Sequence, residues 1–283
     1  MKRRLDGNEL LYHFFQKCWL EEEPDAAKEF IKKAIDTLGV WMAPKYYQEL
    51  PVVIPFAVRD PQCRHSGPNG SDEWGSSDAK GYFRDDNSLI KGIVNSLRVV
   101  SHTQWLRGFK GNGFTASHVW REPTDYSTSH ILASRRPDLN SFVPNLVWLP
   151  KQIAKLTDRE GSFAQRYLQK LSRHIYGSLG VKNDARGLVC DIWNSLPMPN
   201  GLDDVDLPDV SDITFFEHKD TIVEGRKNKI QSVCIACNEV LANHAISATK
   251  VISTRYTQGL PNVGQRHLRK LVEWLDSYLQ AIR

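Results

Sequence analysis

Gly113-Phe114-Thr115-Ala116-Ser117-His118-Val119-Trp120 and Pro144-Asn145-Leu146-Val147-Trp148-Leu149-Pro150 are the two stretches whose reading decides the fold. Both are rich in β-branched and aromatic side chains, and both are bounded by turn formers: Gly111-Asn112-Gly113 ahead of the first, Pro144 and Pro150 around the second. Such runs predict strands, here Phe114 to Trp120 and Asn145 to Leu149. A polar, Ser-rich connection covers roughly residues 123–142 between them. Beyond Pro150, Ile153, Leu156, Phe163, Tyr167, Leu168, Leu171 and Ile175 fall at helical spacing and predict a long helix or a helix pair.

Working outward, helical patterns dominate both flanks. Leu10, Leu11, Phe14, Phe15 and Cys18 predict a helix over 8–20. Pro24 suits the first turn of a second, whose stripe is Ala27, Phe30, Ile31, Ala34, Ile35 and Leu38 and whose stop is Gly39. Pro51-Val52-Val53-Ile54-Pro55 reads as a short extended segment, and residues 59–81 as a loop. Asp85-Asp86-Asn87-Ser88 caps a helix expected to run to Leu97. Three prolines and a run of acids make 196–212 a linker, and Leu268, Leu271, Val272, Leu275, Leu279 and Ile282 share one face of a final helix over 263–282. The expected organisation is a helical region 1–100 for recognition or dimerisation, a core over 101–182, and an acidic linker with a helical C-terminal region over 183–283. The fold class is α+β.

Composition excludes several classes. With 41% hydrophobic and 25% charged residues the chain is an ordinary globular one. No run approaches the ~18 apolar residues of a membrane span, no signal-peptide core follows the basic N-terminus, and five cysteines at irregular spacing argue against a disulfide framework, so a cytoplasmic protein is expected. No Gly-x-Ser-x-Gly elbow, Walker loop or dinucleotide fingerprint is present. The net charge of +4 hides blocks: residues 101–180 hold eleven Lys and Arg against five acids, and 181–220 hold three against nine. The basic block suits phosphate neutralisation, or simply solvates a helix.

The order strand with His118, loop, strand start with Asn145, then helix resembles the ββα-metal finger of the HNH and His-Me endonuclease superfamily. Thr115-Ala116-Ser117-His118 is similar to the box around the catalytic histidine of His-Cys homing endonucleases. Asn145-Leu146-Val147-Trp148-Leu149-Pro150 is similar to the second strand of HNH restriction and toxin nucleases. The resemblance covers roughly 105–178. It implies a ββα-metal core within a mainly helical chain, and an endonuclease that hydrolyses DNA phosphodiesters, RNA not being excluded, in restriction or defence. It further implies His118 as general base, Asn145 as the ligand of a Mg²⁺ or other divalent ion, and Gln152 or His174 as lesser completions of that site. Ser117 stands where many members carry an acidic or histidine ligand, which implies a sparsely ligated ion.

The chemistry needs those residue types. A neutral imidazole takes a proton from water near pH 7, and a hard cation prefers oxygen ligands. Arg107, Lys110 and Arg121 flank the first strand and are candidate partners of the scissile phosphate. Arg135 and Arg136 in the connection, and Lys151 and Lys155 on the following helix, are candidate nucleic-acid contacts or plain exposed charges. Trp74, Trp105, Trp120 and Trp148 could stack on bases, core packing being expected of the last two. His130 is a weaker candidate beside the ion. A structural zinc ion held by Cys63, His65, Cys234 and Cys237 is the less favoured reading against buried free thiols. A homodimer would let one site per chain cut both strands. The competing readings are a non-catalytic nucleic-acid-binding protein and a toxin nuclease of the same chemistry.

Overall fold

Pro24 at the first turn, where no backbone N–H is needed, and apolar residues four apart (Ala27, Ile31, Ile35) build helix α1, Pro24–Leu38. Gly39 ends it by returning its N–H to the Ile35 carbonyl at 2.8 Å, and a Cβ there would stand 2.6 Å from that oxygen. The structure, a computed structural model, describes residues 21–65, 70–122, 132–157, 159–244, 246 and 253–283. The helix expected over 8–20 and His130 lie outside them.

Strand β1, Val40–Met42, follows, then α2, Pro44–Glu49, β2, Ala57–Arg59, β3, Phe83–Asp85, α3, Ser88–Gly92, β4, Arg98–Val100, and β5, Gly108–Phe109. The central stretch supplies β6, Phe114–His118, α4, Pro137–Asn140, β7, Leu146–Pro150, α5, Lys151–Ala154, and α6, Phe163–Tyr176. The remainder is α7, Arg186–Asn194, β8, Thr214–Phe216, α8, Asp220–Asn243, α9, Thr254–Gly259, and α10, Gln265–Ala281. None of the described helices is long and apolar enough to cross a membrane.

Six strands form one mixed sheet in the order β5-β4-β8-β1-β7-β6, and β2 and β3 pair separately in parallel. β6 and β7 are antiparallel, with Ala116 opposite Trp148 and His118 opposite Leu146. The sheet cannot be flat. β5 and β6 lie at its two ends, yet only five Cα steps separate Phe109 from Phe114, a reach of at most about 18 Å. Five inter-strand gaps laid flat would need about 24 Å. The sheet therefore curls and brings its first and last strands toward each other.

One continuous apolar core joins Trp41 and Met42 of β1, the buried residues of β7, the α1 stripe, Tyr167, Leu171 and Ile175 of α6 and Leu268, Leu271 and Leu275 of α10. α8 and α10 pack along each other, and the Tyr278 hydroxyl ties α10 to the 51–55 segment by donating to the Val52 carbonyl (2.7 Å) and accepting from its N–H (2.8 Å).

The molecule is α+β, as expected, with differences in detail. The helix expected to reach Leu97 stops at Gly92, because residues 93–97 close on themselves in successive turns. Its cap is Asp85, whose carboxylate accepts from the N–H groups of Leu89 and Ile90, and not Asn87. The region 1–100 is not purely helical: it supplies β1 to β4. Strands from 1–100, 101–182 and 183–283 all enter the one sheet. β8, which lies directly after the supposed linker, sits inside that sheet between β4 and β1.

Candidate functional site

β6 is the last strand of its sheet, so its outward carbonyls need partners from elsewhere. Asn87 meets that need. Its backbone adopts the left-handed conformation (φ 85°), one that Asn tolerates, and its Nδ2 donates to the Ala116 carbonyl at 2.8 Å. Past His118 the backbone is held by Asn145 and Gln169. The Val119 N–H bonds the Asn145 carbonyl (3.0 Å), the Trp120 N–H bonds the Asn145 Oδ1 (2.7 Å), and Gln169 Nε2 donates to the Val119 carbonyl (3.4 Å).

A cavity of about 440 Å³ opens beside β6. Thr115, Ala116, Ser117 and His118 form one wall, with Asn87 against it. Arg59 at the end of β2, Arg121, Lys151 at the start of α5 and Lys155 just past its end bring four cationic side chains to the lining. Leu132 and Ser134 complete the far side. No carboxylate lines the cavity among the described residues. Its field is positive and suits an anion.

His118 is oriented within it. Its Nε2 lies 2.9 Å from the Asn140 carbonyl, which can only accept, so Nε2 carries the hydrogen and Nδ1 holds the lone pair. Burial pushes the imidazole down to about 4; the Asn140 hydrogen bond offsets part of this, and the charges of Arg59 and Arg121 reinforce it. The ring is neutral throughout the physiological range and can accept a proton at Nδ1.

Asn145, expected to hold the ion, is placed otherwise. It is fully buried, it does not line the cavity, and its amide is consumed by two backbone partners. Oδ1 accepts from Trp120 N, and Nδ2 donates to the Leu139 carbonyl at 3.0 Å. Leu139 directly precedes Asn140, the residue that holds His118. Asn145 thus fixes both the strand beyond His118 and the turn that orients its ring. Ser172 of α6 braces Asn145 from the other side by donating to the carbonyl of its neighbour Pro144 at 2.6 Å.

Of the other expected residues, Arg121, Lys151 and Lys155 share the cavity with His118. Gln152 points outward on α5 and is exposed, and His174 bonds the Pro208 carbonyl on the far side of α6. Neither lines the cavity. Arg107 donates to the Ser101 carbonyl (2.9 Å), and Lys110, lowered by partial burial and by the charge of Lys91, stands on the approach to β6; both are outside the lining. Arg135 is exposed and near Asp60, and Arg136 is held by Asp138 at 2.6 Å.

Five lining residues lie outside the site the sequence points to: Arg59, Asn87, Leu132, Ser134 and Ala154. Arg59 has a visible signal: it is the first charge after the apolar run 51–58. Asn87 sits in a capping sequence that masks its role against an edge strand.

The donor set bears on an ion. Side-chain oxygens in the lining are the Asn87 amide and the hydroxyls of Thr115, Ser117 and Ser134. Asn87 Oδ1 is shielded from solvent and has no hydrogen-bond partner. Proteins bind Mg²⁺ through one or two carboxylates with waters or substrate phosphates. The described residues place cations in the lining where such carboxylates would stand, and they do not fit a protein-held Mg²⁺.

The described residues gather one other group of potential ligands: Glu49, His218 and Asp220. His218 directs Nε2 at Glu49 (3.0 Å) and Nδ1 at Asp220 (3.5 Å), and Lys45 already bridges the two carboxylates at 3.6 and 3.1 Å. This is an ion-pair network around an imidazole. The zinc candidates are not gathered. The Cys63 thiol donates to the Asp60 carbonyl (3.2 Å), and burial raises both Cys63 and Cys237 to about 12, which opposes thiolate formation.

Comparison of the chain with family models, with curated proteins and with solved structures gave no match.

Proposed function

We propose that the protein is a nuclease whose cavity beside β6 cleaves a phosphodiester of nucleic acid, with His118 Nδ1 taking the proton of the attacking hydroxyl or water. The observation that carries this reading is a neutral histidine of fixed tautomer set among four cations. The antiparallel β6–β7 pair followed by α5 supports it, since the resemblance to ββα-metal nucleases rests on that order.

The chemistry follows from the residues. Arg59 and Arg121 offer planar forks for phosphate oxygens, Lys151 and Lys155 add point charge, and all four offset the negative charge that grows as the phosphorane forms; when the P–O bond to the leaving group breaks, the departing oxygen takes its proton from a lining lysine or from water. Nε2–H bonded to Asn140 keeps Nδ1 directed and unprotonated. Asn145 acts through that turn as a positioning residue. The resemblance also implies Mg²⁺, but the described residues give it no matching donor set, and no step here runs through an ion.

The test is incubation of wild type and His118→Ala with plasmid DNA and with a folded RNA, each in Mg²⁺ and in EDTA. Cleavage by wild type alone, with nucleic-acid binding retained in the variant, supports the reading. Binding by both with cutting by neither assigns the cavity to a non-catalytic nucleic-acid-binding protein. The EDTA arm reads directly what an ion contributes.

A further inference from the structure

Of the four tryptophans considered for base stacking, the structure leaves one in the open. Trp120 and Trp148 are fully buried, and Trp74 is half-buried with its indole N–H given to Asp85 (3.1 Å). Trp105 is 68% exposed, and Phe109 on β5 is 64% exposed. An indole and a phenyl ring both left in water, within a few residues of each other, call for a partner.

The surroundings narrow its chemistry. From Arg98 to Arg121 the chain contains no Asp or Glu, while it holds Arg98, Arg107, Lys110 and Arg121. The Arg98 guanidinium lies 5.7 Å from the centre of the Phe109 ring, which braces that ring in its exposed position. The carboxylate beside it, Glu217, accepts from the Arg98 N–H (2.8 Å) and is paired with Lys219 (2.8 Å). Exposed aromatic faces interleaved with cations, on a segment that carries no acid of its own, suit a polyanion that also offers flat rings. The cations would attract an acidic peptide too, but an acidic peptide supplies no stack of π-faces for the two rings. The location is telling as well. The curl of the sheet holds Phe109 within about 18 Å of Phe114, where the cavity strand begins. Lys110 feels the charge of Lys91 on α3, the helix that directly follows the cavity residue Asn87.

We propose that the segment Arg98–Gly113 is a stacking platform for unpaired nucleobases, so that the preferred substrate of the His118 cavity is a nucleic acid with a single-stranded stretch next to the cleaved link. Trp105 and Phe109 receive bases, and the adjoining Arg and Lys side chains track the phosphates toward the cavity. The proposal rests on the nuclease reading for what happens at His118, but the platform itself is tested by binding alone.

The experiment measures fluorescence anisotropy of a labelled 20-nucleotide single strand and of the matching duplex, with the His118→Ala protein as the non-cleaving reference. Trp105→Ala and Phe109→Ala are then combined in that background. Loss of each stacked base should cost about 5- to 150-fold in single-strand affinity, with duplex affinity changed by less than about threefold. Trp105→Phe should recover most of the loss, and circular dichroism checks that the variants fold. Equal losses on single strand and duplex, or no loss on either, overturn the platform. So does a wild-type dimer that the double variant breaks in sedimentation, because the rings are then covered by a second copy of the chain. If wild type binds single strands through these rings but cuts nothing, the platform stands and the nuclease reading falls. If wild type cuts and the ring variants bind and cut as it does, the reverse holds.

Discussion

Asn145→Ala separates the two roles assigned to this residue. Asn145, Trp120 and Leu139 are all fully buried, and the substitution leaves the Trp120 N–H without a partner in the core and takes one hydrogen bond from the Leu139 carbonyl, which keeps the Phe142 N–H at 3.3 Å. The unsatisfied Trp120 N–H costs about 1–3 kcal/mol and the hydrogen bond lost at Leu139 about 1 more, so the expected loss is about 2–4 kcal/mol, a large share of the stability of an ordinary domain. Asn145→Asp keeps the acceptor, loses the donor and buries a charge, and it should destabilise at least as strongly. The assay is equilibrium urea unfolding in EDTA, followed by tryptophan fluorescence. A side chain whose task was to hold an ion would behave otherwise: without the ion both variants would match wild type, and with it the aspartate would bind at least as well. Stability of Asn145→Ala within about 0.5 kcal/mol of wild type would refute the positioning argument. A second readout belongs to the same geometry. Loosening the Leu139–Asn140 turn should expose His118 and move its titration up from about 4 toward the ordinary value.

Other expectations follow from the same contacts. Because His118 is depressed to about 4, cleavage should keep its rate as pH falls past 6.5 and lose it only near pH 4; a limb near 6.5 would show that the ring is not buried as described. The same depression costs stability on the acid side: between pH 6.5 and 4 the unfolded chain binds a proton that the folded one refuses, a loss of about 3 kcal/mol that His118→Asn should abolish in urea melts compared across that range. Lys151→Ala should weaken binding of single strand and duplex alike and lower the slope of log K against log salt by roughly one; an unchanged slope would remove Lys151 from the phosphate path. Tyr278→Phe removes a hydroxyl that both gives and takes a hydrogen bond at Val52, and should cost about 1–3 kcal/mol in thermal or urea unfolding without altering nucleic-acid binding.

The parts of the fold legible in the sequence are those governed by local pattern. α1 begins at Pro24 and ends before Gly39 as the stripe and punctuation dictate, α10 lies within the expected 263–282, and β6 and β7 fall on the two stretches quoted first. What could not be read is what distant segments decide. Thr214-Phe215-Phe216 is too short to stand out after an acidic run, and only its neighbours on both sides make it a central strand. At the site, His118 with Arg121, Lys151 and Lys155 is legible because all four lie on or just beside the β6–β7 pair in the chain. Arg59 and Asn87 arrive from segments whose relation to β6 no spacing reveals. The role of Asn145 is not legible in the sequence because residue type alone cannot tell a ligand from a brace: the same amide serves an ion when it faces a cavity and serves the backbone when it is buried.

Strand β8 has a consequence for the birth of the protein. The β4–β5 pair and the β1–β7–β6 trio meet only through it, and it leaves the ribosome about 60 residues after β7. During that interval the nascent chain carries two incomplete sheets with open hydrogen-bonding edges, the condition under which strands pair wrongly or with neighbours. Translation that stalls or terminates before Thr214 should therefore yield insoluble fragments, and full-length product should depend on holdase chaperones that shield those edges until the keystone strand arrives.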